Sequence, residues 1–310
     1  MKLCLSIEIQ EGLSYDDTLA MTRAAEAAGF DAALLAEHYY PSSGHMDRIS
    51  CDAWVVLGGL ARETSRIRLG SLVSPVTFRH PSVLAKMAAT LDHQSGGRAE
   101  LGLGAGWLEA EHAAYGFAFA SAKERVDEVE EQLQVITGLW THDPFSHAGP
   151  RYRLEACRFT PRPVQTPHPP LLIGGRPTSQ RLPRLTARYA QEYVIALGTA
   201  ADCRAGRERL DRACEEIGRD PASLSMSLFA GVCVGENEAE VKARLERLLE
   251  GTRPHMRDTS NWVLGTPEQA AARLLELGAA GVDRIMFSVE NELHRAMVPL
   301  LGERVAPLLA

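Results

Sequence analysis

The chain has 310 residues, 45% of them hydrophobic and 24% charged, with a formal net charge of -7. That is ample material for a core, and the acidic balance argues against a general nucleic-acid binder. No stretch reaches the ~20 apolar residues that a membrane helix needs, and the six scattered cysteines contain no C-x-x-C pair, as expected of reduced thiols in a cytoplasmic protein.

In chain order, residues 2–9 (KLCLSIEI) read as a first strand with no basic-then-apolar leader before it. Ser14, followed three positions later by Asp17, caps a helix that runs to Gly29. Residues 31–36 (DAALLA) form a second strand leading directly into Glu37-His38-Tyr39-Tyr40-Pro41. The polar stretch 42–50 reads as a mobile loop over one mouth of the fold, and 52–63 as a helix. Residues 67–73 make a third strand that stops at Ser74-Pro75, because proline cannot donate to a central ladder. Pro81 suits the first turn of the next helix, whose apolar positions Val83, Leu84, Met87, Ala88 and Leu91 recur at helical spacing. Gly96-Gly97 ends it, and a fourth strand at 98–103 runs into Gly104-Ala105-Gly106-Trp107.

The segment 108–120 reads as irregular and 123–139 as a helix. Residues 142–170 are proline-rich and lack a helical period, with short strand-like pieces at 152–154 and 158–160. An excursion of that length is an insertion packed on the outside or a segment with its own task. A fifth strand at 171–173 ends in Gly174-Gly175-Arg176-Pro177, with a helix from Ser179. Strands at 192–197, 224–234 and 283–289 alternate with helices at 202–217, 238–249 and 294–309. Thr266-Pro267-Glu268-Gln269 carries the signature of a further helix start.

Eight strands separated by helices predict an α/β fold, a (β/α)8 barrel in one domain over residues 1–310, with insertions near 108–122 and 142–170. A doubly wound open sheet is the competitor. In a barrel the site lies where the strands end, and each motif below follows a strand.

His38 has the side chain best suited to proton transfer near neutral pH, and it sits at a strand end beside Glu37. Glu37 either orients it, contacts a cofactor ring or is merely solvated. Gly102-Leu103-Gly104-Ala105-Gly106 fails the G-x-G-x-x-G spacing, because Trp107 stands where the third glycine belongs. Small residues there would instead let a flat cofactor lie against main chain, though a tight turn has the same composition. Gly174-Gly175-Arg176, between strand and helix, could cradle a phosphate or form a plain turn. Residues 151–188 hold eight arginines against the single acid Glu155; such a patch suits an extended anionic tail or is a solvated face. The histidines show no metal spacing and no H-E-x-x-H, so no metal site is expected. No G-x-S-x-G elbow supports a serine hydrolase.

Three stretches taken together resemble the luciferase-like flavin/deazaflavin oxidoreductases. They are LGSLVSPVTFRHPSVLAKMAATLDHQSGGRAELGLGAGW with EH after the second strand, PRPVQTPHPPLLIGG, and VLGTPEQAAARLLELGAAGVDRIMFS. The resemblance covers nearly the whole chain and implies a (β/α)8 barrel binding coenzyme F420 or FMN at the strand C-termini. It implies a cofactor ring on a bulge of the third strand at Leu72-Val73-Ser74, often with a non-prolyl cis peptide. It also places His38 near the reactive ring edge, with Glu37 beside it, Gly104-Ala105-Gly106-Trp107 flanking the ring and Gly174-Gly175-Arg176 at the phosphate. The RHPxxLAKMAATLDxxSGGR wording is closest to the F420-dependent branch, so the expected activity is hydride transfer between F420 and a small organic substrate. Glu37-His38 is common among FMN-dependent luciferase-like monooxygenases, which are the alternative. A non-catalytic flavin- or deazaflavin-binding protein is the third reading. Tyr39, Tyr40, Trp107 and loop 42–50 are expected to line the substrate pocket, and a homodimer through outer helices is implied.

Overall fold

Eight parallel strands close on themselves: β1 (Lys2–Ile7), β2 (Ala32–Leu35), β3 (Arg68–Pro75), β4 (Ala99–Gly104), β5 (Leu171–Gly175), β6 (Glu192–Ala196), β7 (Ser225–Ala230) and β8 (Arg284–Val289). Each pairs with its chain neighbours, and β8 returns to β1 in register from Lys2–Arg284 to Ile7–Val289. The computed structural model describes residues 1–250 and 258–309.

Helix ends are fixed by the residues that mark them in the sequence. Ser14, Ser121, Thr199 and Thr266 each close a full capping box with Asp17, Glu124, Asp202 and Gln269, satisfying donors that a helix start leaves unmade. Pro81 opens the helix after β3, and Gly96, in the left-handed region at φ 68°, closes it.

Two layers fill the barrel interior. At the N-terminal ends of the strands, the Arg284 guanidinium meets Glu192 at 2.5 Å, Asp31 at 3.1 Å and Glu100 at 3.2 Å. Burial there pushes the Glu192 carboxyl upward even though Arg284 opposes the shift. Above this ionic floor lies an apolar layer of Cys4, Ala32, Leu34, Leu72, Leu172, Val194 and Met286. The outward strand faces and the surrounding helices form the larger core.

Several expectations need correction. Segment 108–120 contains a helix, Glu109–Tyr115, closed by Gly116 at φ 74°; its buried face is Glu111 and His112, so no apolar period announced it. Residues 158–160 form no strand, whereas Arg153–Cys157 pairs with Phe145–Ala148 as an antiparallel hairpin. The single strand expected at 224–234 breaks at Gly231, where a Cβ would lie 2.3 Å from the Trp262 ring. Beyond the break, Val232–Val234 leaves the barrel to pair with Val263–Gly265. The helix after β5 begins at Leu182 rather than Ser179, whose hydroxyl accepts the Leu182 N–H at 3.3 Å. The last helix starts at Glu292 and stops at Leu300, passing into a wider π-type turn at Leu301–Val305. Pro299, which has no N–H to give the ladder, lies just before the change.

Candidate active site

At the C-terminal ends of the strands, side chains that point inward lose their cover. Glu8, Val73, Gly174, Ala196, Phe229, Ser288 and Glu290 are half-exposed, whereas the residues just before each of them are buried. With the pleat alternating in and out, these positions trace one depression at the mouth.

β3 supplies its shelf. Ser71 faces Leu101 and Ser74 faces Leu103, so three steps on β3 span two on β4, which is a bulge. The Leu72-Val73 peptide is cis, at the place the family resemblance indicates. Leu72 drops into the apolar layer, and Val73 packs above it. Three glycines make room for Val73: a Cβ on Gly102, Gly104 or Gly174 would lie 3.0, 2.5 or 3.0 Å from its methyl groups. A flat cofactor needs a wall of main chain free of side chains, and this surface, bare but for Val73, fits that need. Gly175 has a packing reason, since a Cβ there would sit 2.4 Å from Leu182 Cδ1. Arg176 is exposed at the rim, and its carbonyl accepts from the Tyr193 hydroxyl at 3.3 Å.

His38 and Glu37 turn opposite ways, as consecutive residues leaving a strand do. The His38 ring, 13% exposed, has Nδ1 at 3.0 Å from Glu111 Oε2. The second oxygen of Glu111 accepts the Tyr39 N–H at 2.5 Å, and the carboxylate is itself 1% exposed. Nε2 is therefore the ring nitrogen left for a ligand. Trp107, largely exposed, presents its edge to the His38 ring at 5.7 Å. Glu37 is buried away from the mouth, where it accepts from Trp54 Nε1 at 3.0 Å and from Ser74 and Arg79. Ser74 is thus engaged behind the shelf, with its hydroxyl reaching Ser71 at 3.0 Å. Tyr39 leaves the pocket wall to stack among Phe78, Tyr115 and Phe117.

The rim formed by the ends of β1 and β8 is acidic. Glu8 accepts from Ser6 Oγ at 3.1 Å and Gln10 Nε2 at 2.9 Å, and burial raises its carboxyl above the usual range. Burial, with the charges of Glu11 and Glu8 beside it, pushes Glu290 up to about 7. Glu11 accepts from Ser42 Oγ at 2.7 Å, from Ser43 N at 3.0 Å and from Arg48 at 3.1 Å, fastening loop 42–50 to the β1 end.

The arginine patch disperses. Arg151, Arg153, Arg181, Arg184 and Arg188 are each within 4 Å of a carboxylate, three of them on residues 124–131 of the neighbouring helix. The Arg162 carbonyl meets His93 at 2.7 Å near the C-terminal end of the helix after β3, on the floor side of the barrel. Of the eight, Arg176 stands at the mouth. Glu111 was missed by sequence reasoning, since nothing in the chain separates it from Glu109.

A closed parallel barrel with an oriented histidine and a main-chain shelf at its C-terminal mouth has the architecture of a barrel enzyme. The chain belongs to the luciferase-like monooxygenase family, whose model matches residues 3–284. This family contains both F420-dependent and FMN-dependent oxidoreductases. The FMNH2-dependent dimethylsulfone monooxygenase of Pseudomonas putida is 24% identical over 98% of this chain and 90% of its own. The F420-dependent glucose-6-phosphate dehydrogenase of Nakamurella multipartita is 26% identical over 92% of this chain and 90% of its own. Among solved structures, an F420-dependent secondary alcohol dehydrogenase holding an F420-acetone adduct superposes with a TM-score of 0.86 at 18% identity, covering 100% of this chain and 99% of the other.

Proposed function

We propose that the protein is an F420-dependent oxidoreductase that transfers a hydride between coenzyme F420 and a small organic substrate. The observation that carries this reading is the His38–Glu111 pair beside the β3 shelf. Bound F420 supplies the hydride acceptor or donor. The chain must then supply a proton at the substrate heteroatom, and His38 Nε2 is placed to give or take it. Glu111 fixes the ring orientation through Nδ1, as a carboxylate partner does for many working histidines. Val73, with the main chain of Leu72 and Ser74, and Gly104-Ala105-Gly106 form the ring's wall. Trp107 covers the histidine edge, and Gly174-Gly175-Arg176 lie where an anionic group would be met. Glu37 supports the shelf through Ser74 and Trp54 rather than touching the substrate.

An FMN-dependent monooxygenase is the second reading. It is favoured by the likeness to the FMNH2-dependent relative over 98% of the chain and by arginines already paired with the protein's own acids. Side-by-side absorbance titrations of the purified chain with F420 and with FMN test the proposal. A saturable F420 spectral shift with weak FMN binding is expected. Tight FMN binding with none for F420, together with oxygen consumption by the reduced-FMN complex, would establish the second reading instead.

A further inference from the structure

The helix that carries Glu111 has little of its own to keep it in place. Glu109–Tyr115 is seven residues long, and Leu108 at its start gives no side-chain cap. A helix of that length is not stable alone. Of its seven residues only Glu111 and His112 are buried. Glu111 reaches the exit of β2, where it meets His38 and the Tyr39 N–H. His112, one position on, reaches the exit of β3. Its Nε2 lies 2.7 Å from the Thr77 hydroxyl and its Nδ1 2.8 Å from the Leu108 carbonyl. A carbonyl only accepts, so Nδ1 carries a proton. Phe78 and Phe119 pack against the ring, with centroids at 5.4 and 4.6 Å. Gly106, at φ 73°, rests on the same bond, since a Cβ there would lie 3.4 Å from both His112 Nε2 and Thr77 Oγ1. The exits of β2, β3 and β4 therefore meet at one short helix.

We propose that His112 is a positioning residue: by tying Glu109–Tyr115 to Thr77, it sets Glu111 where that carboxylate holds the His38 ring with Nδ1 protonated and Nε2 left for a ligand. At 1% exposed, His112 cannot itself reach a ligand, and it acts through the helix. Tyr115 adds a second tie, from its hydroxyl to the Tyr39 carbonyl at 3.0 Å, but it is itself exposed and leaves the helix free to pivot on the β2 side. A ring wanted only for packing beside these phenylalanines would serve better as phenylalanine, because two buried nitrogens add a desolvation cost that carbon does not. The two bonds fix direction as well as position, and direction is what Glu111 needs to face Nδ1. The inference rests on reading His38 as the residue that moves the proton, and it adds the device that keeps that ring in its working tautomer.

The test is a long-range proton–nitrogen correlation spectrum of the histidine rings in the nitrogen-labelled full chain at pH 8, which reports the nitrogen that carries each proton. His38→Gln identifies the His38 signals. In the native chain His38 is expected in a single form, protonated at Nδ1, because a carboxylate only accepts. His112→Phe keeps the volume of the ring and removes both of its bonds. It should convert His38 to the mixture of tautomers that Glu111→Ala shows. Thr77→Val, which removes one hydroxyl at nearly constant shape, should move His38 the same way, whereas Thr77→Ser, which keeps the hydroxyl, should retain the native pattern. A native His38 pattern in folded His112→Phe or in Thr77→Val overturns the proposal. Thr77→Val decides alone if His112→Phe folds poorly. The spectra need neither cofactor nor substrate, so the expected pattern in a chain that fails to bind F420 would remove the redox reading and leave this inference standing.

Discussion

His38 is useful only if its ring is held, and Glu111 is the group that holds it. Glu111→Gln keeps the shape and removes the charge, so kcat should fall about 10–100-fold with little change in KM. His38→Gln should cost about 10²–10⁴-fold, and the double variant should be no worse than His38→Gln alone, since the two act as a unit. Steady-state rates on all three variants check this; losses that multiply would mean independent roles. His38 could be picked out in the chain because it leaves a buried strand directly. The same alternation also places Glu37 on the other face, which its adjacency to His38 obscured. Glu111 was not legible, because the helix that carries it buries Glu and His where a period of apolar residues would ordinarily mark the inner side. Glu290 gives a second prediction. Its carboxyl is raised to about 7 when folded, so between about 4.3 and 7 the native state holds a proton that the unfolded chain has released, and stability falls as pH rises through that window. Glu290→Gln removes the ionised group, and should stabilise the fold on the order of 2–3 kcal/mol at pH 8 but have almost no effect at pH 4. Urea unfolding at the two pH values measures it. Equal effects at both would show that the carboxyl is not raised.

The shelf depends on two strands and a crossing partner rather than on any one side chain. β3 bulges toward the mouth, and β4 and β5 answer with glycines. Gly104→Ala would place a methyl 2.5 Å from Val73 Cγ2, and the overpacking should cost about 1–3 kcal/mol and displace the bulge. Cofactor affinity should drop about tenfold or more. Adding Val73→Ala removes the clashing methyl groups, so a coupling of at least about 0.5 kcal/mol is expected between the two sites. Denaturant melts and cofactor titrations on the single and double variants decide it. Additive losses would mean that Val73 is not what the glycine accommodates. Strand and helix order was readable from proline and glycine punctuation and from capping residues, all of them local signals. What escaped depends on distant contact: the break of the seventh strand at Gly231 is imposed by Trp262, some thirty residues further along the chain. The dispersal of the arginine patch has the same origin, because the carboxylates that take up Arg181 and Arg188 come from a helix some fifty residues earlier.

The barrel as a whole separates its two ends by chemistry. Its C-terminal mouth holds the oriented histidine and the bare shelf, while its N-terminal floor closes on Arg284 with Glu100, Glu192 and Asp31, far from the mouth along the strand axis. A floor of this kind serves stability, and a mouth serves function. Arg284→Met tests the division. It leaves Glu192 buried at the strand starts without its cation, while Glu100 keeps Arg68, and removing one partner of such a cluster costs about 3–5 kcal/mol. The penalty should shrink as pH falls, because burial raises the Glu192 carboxyl and a protonated Glu192 no longer needs a counter-ion. Replacing both acids and the arginine together by apolar residues of similar volume should recover most of the loss, because three uncharged side chains need no mutual compensation. Cofactor affinity measured well below the melting temperature should stay within about twofold of the parent in either variant, since the apolar layer containing Leu72 and Met286 stands between floor and shelf. Thermal melts paired with cofactor titrations separate the alternatives. An affinity that collapses in Arg284→Met while the folded protein remains intact would mean that the floor sets the position of the third-strand bulge, and that the two ends act as one device.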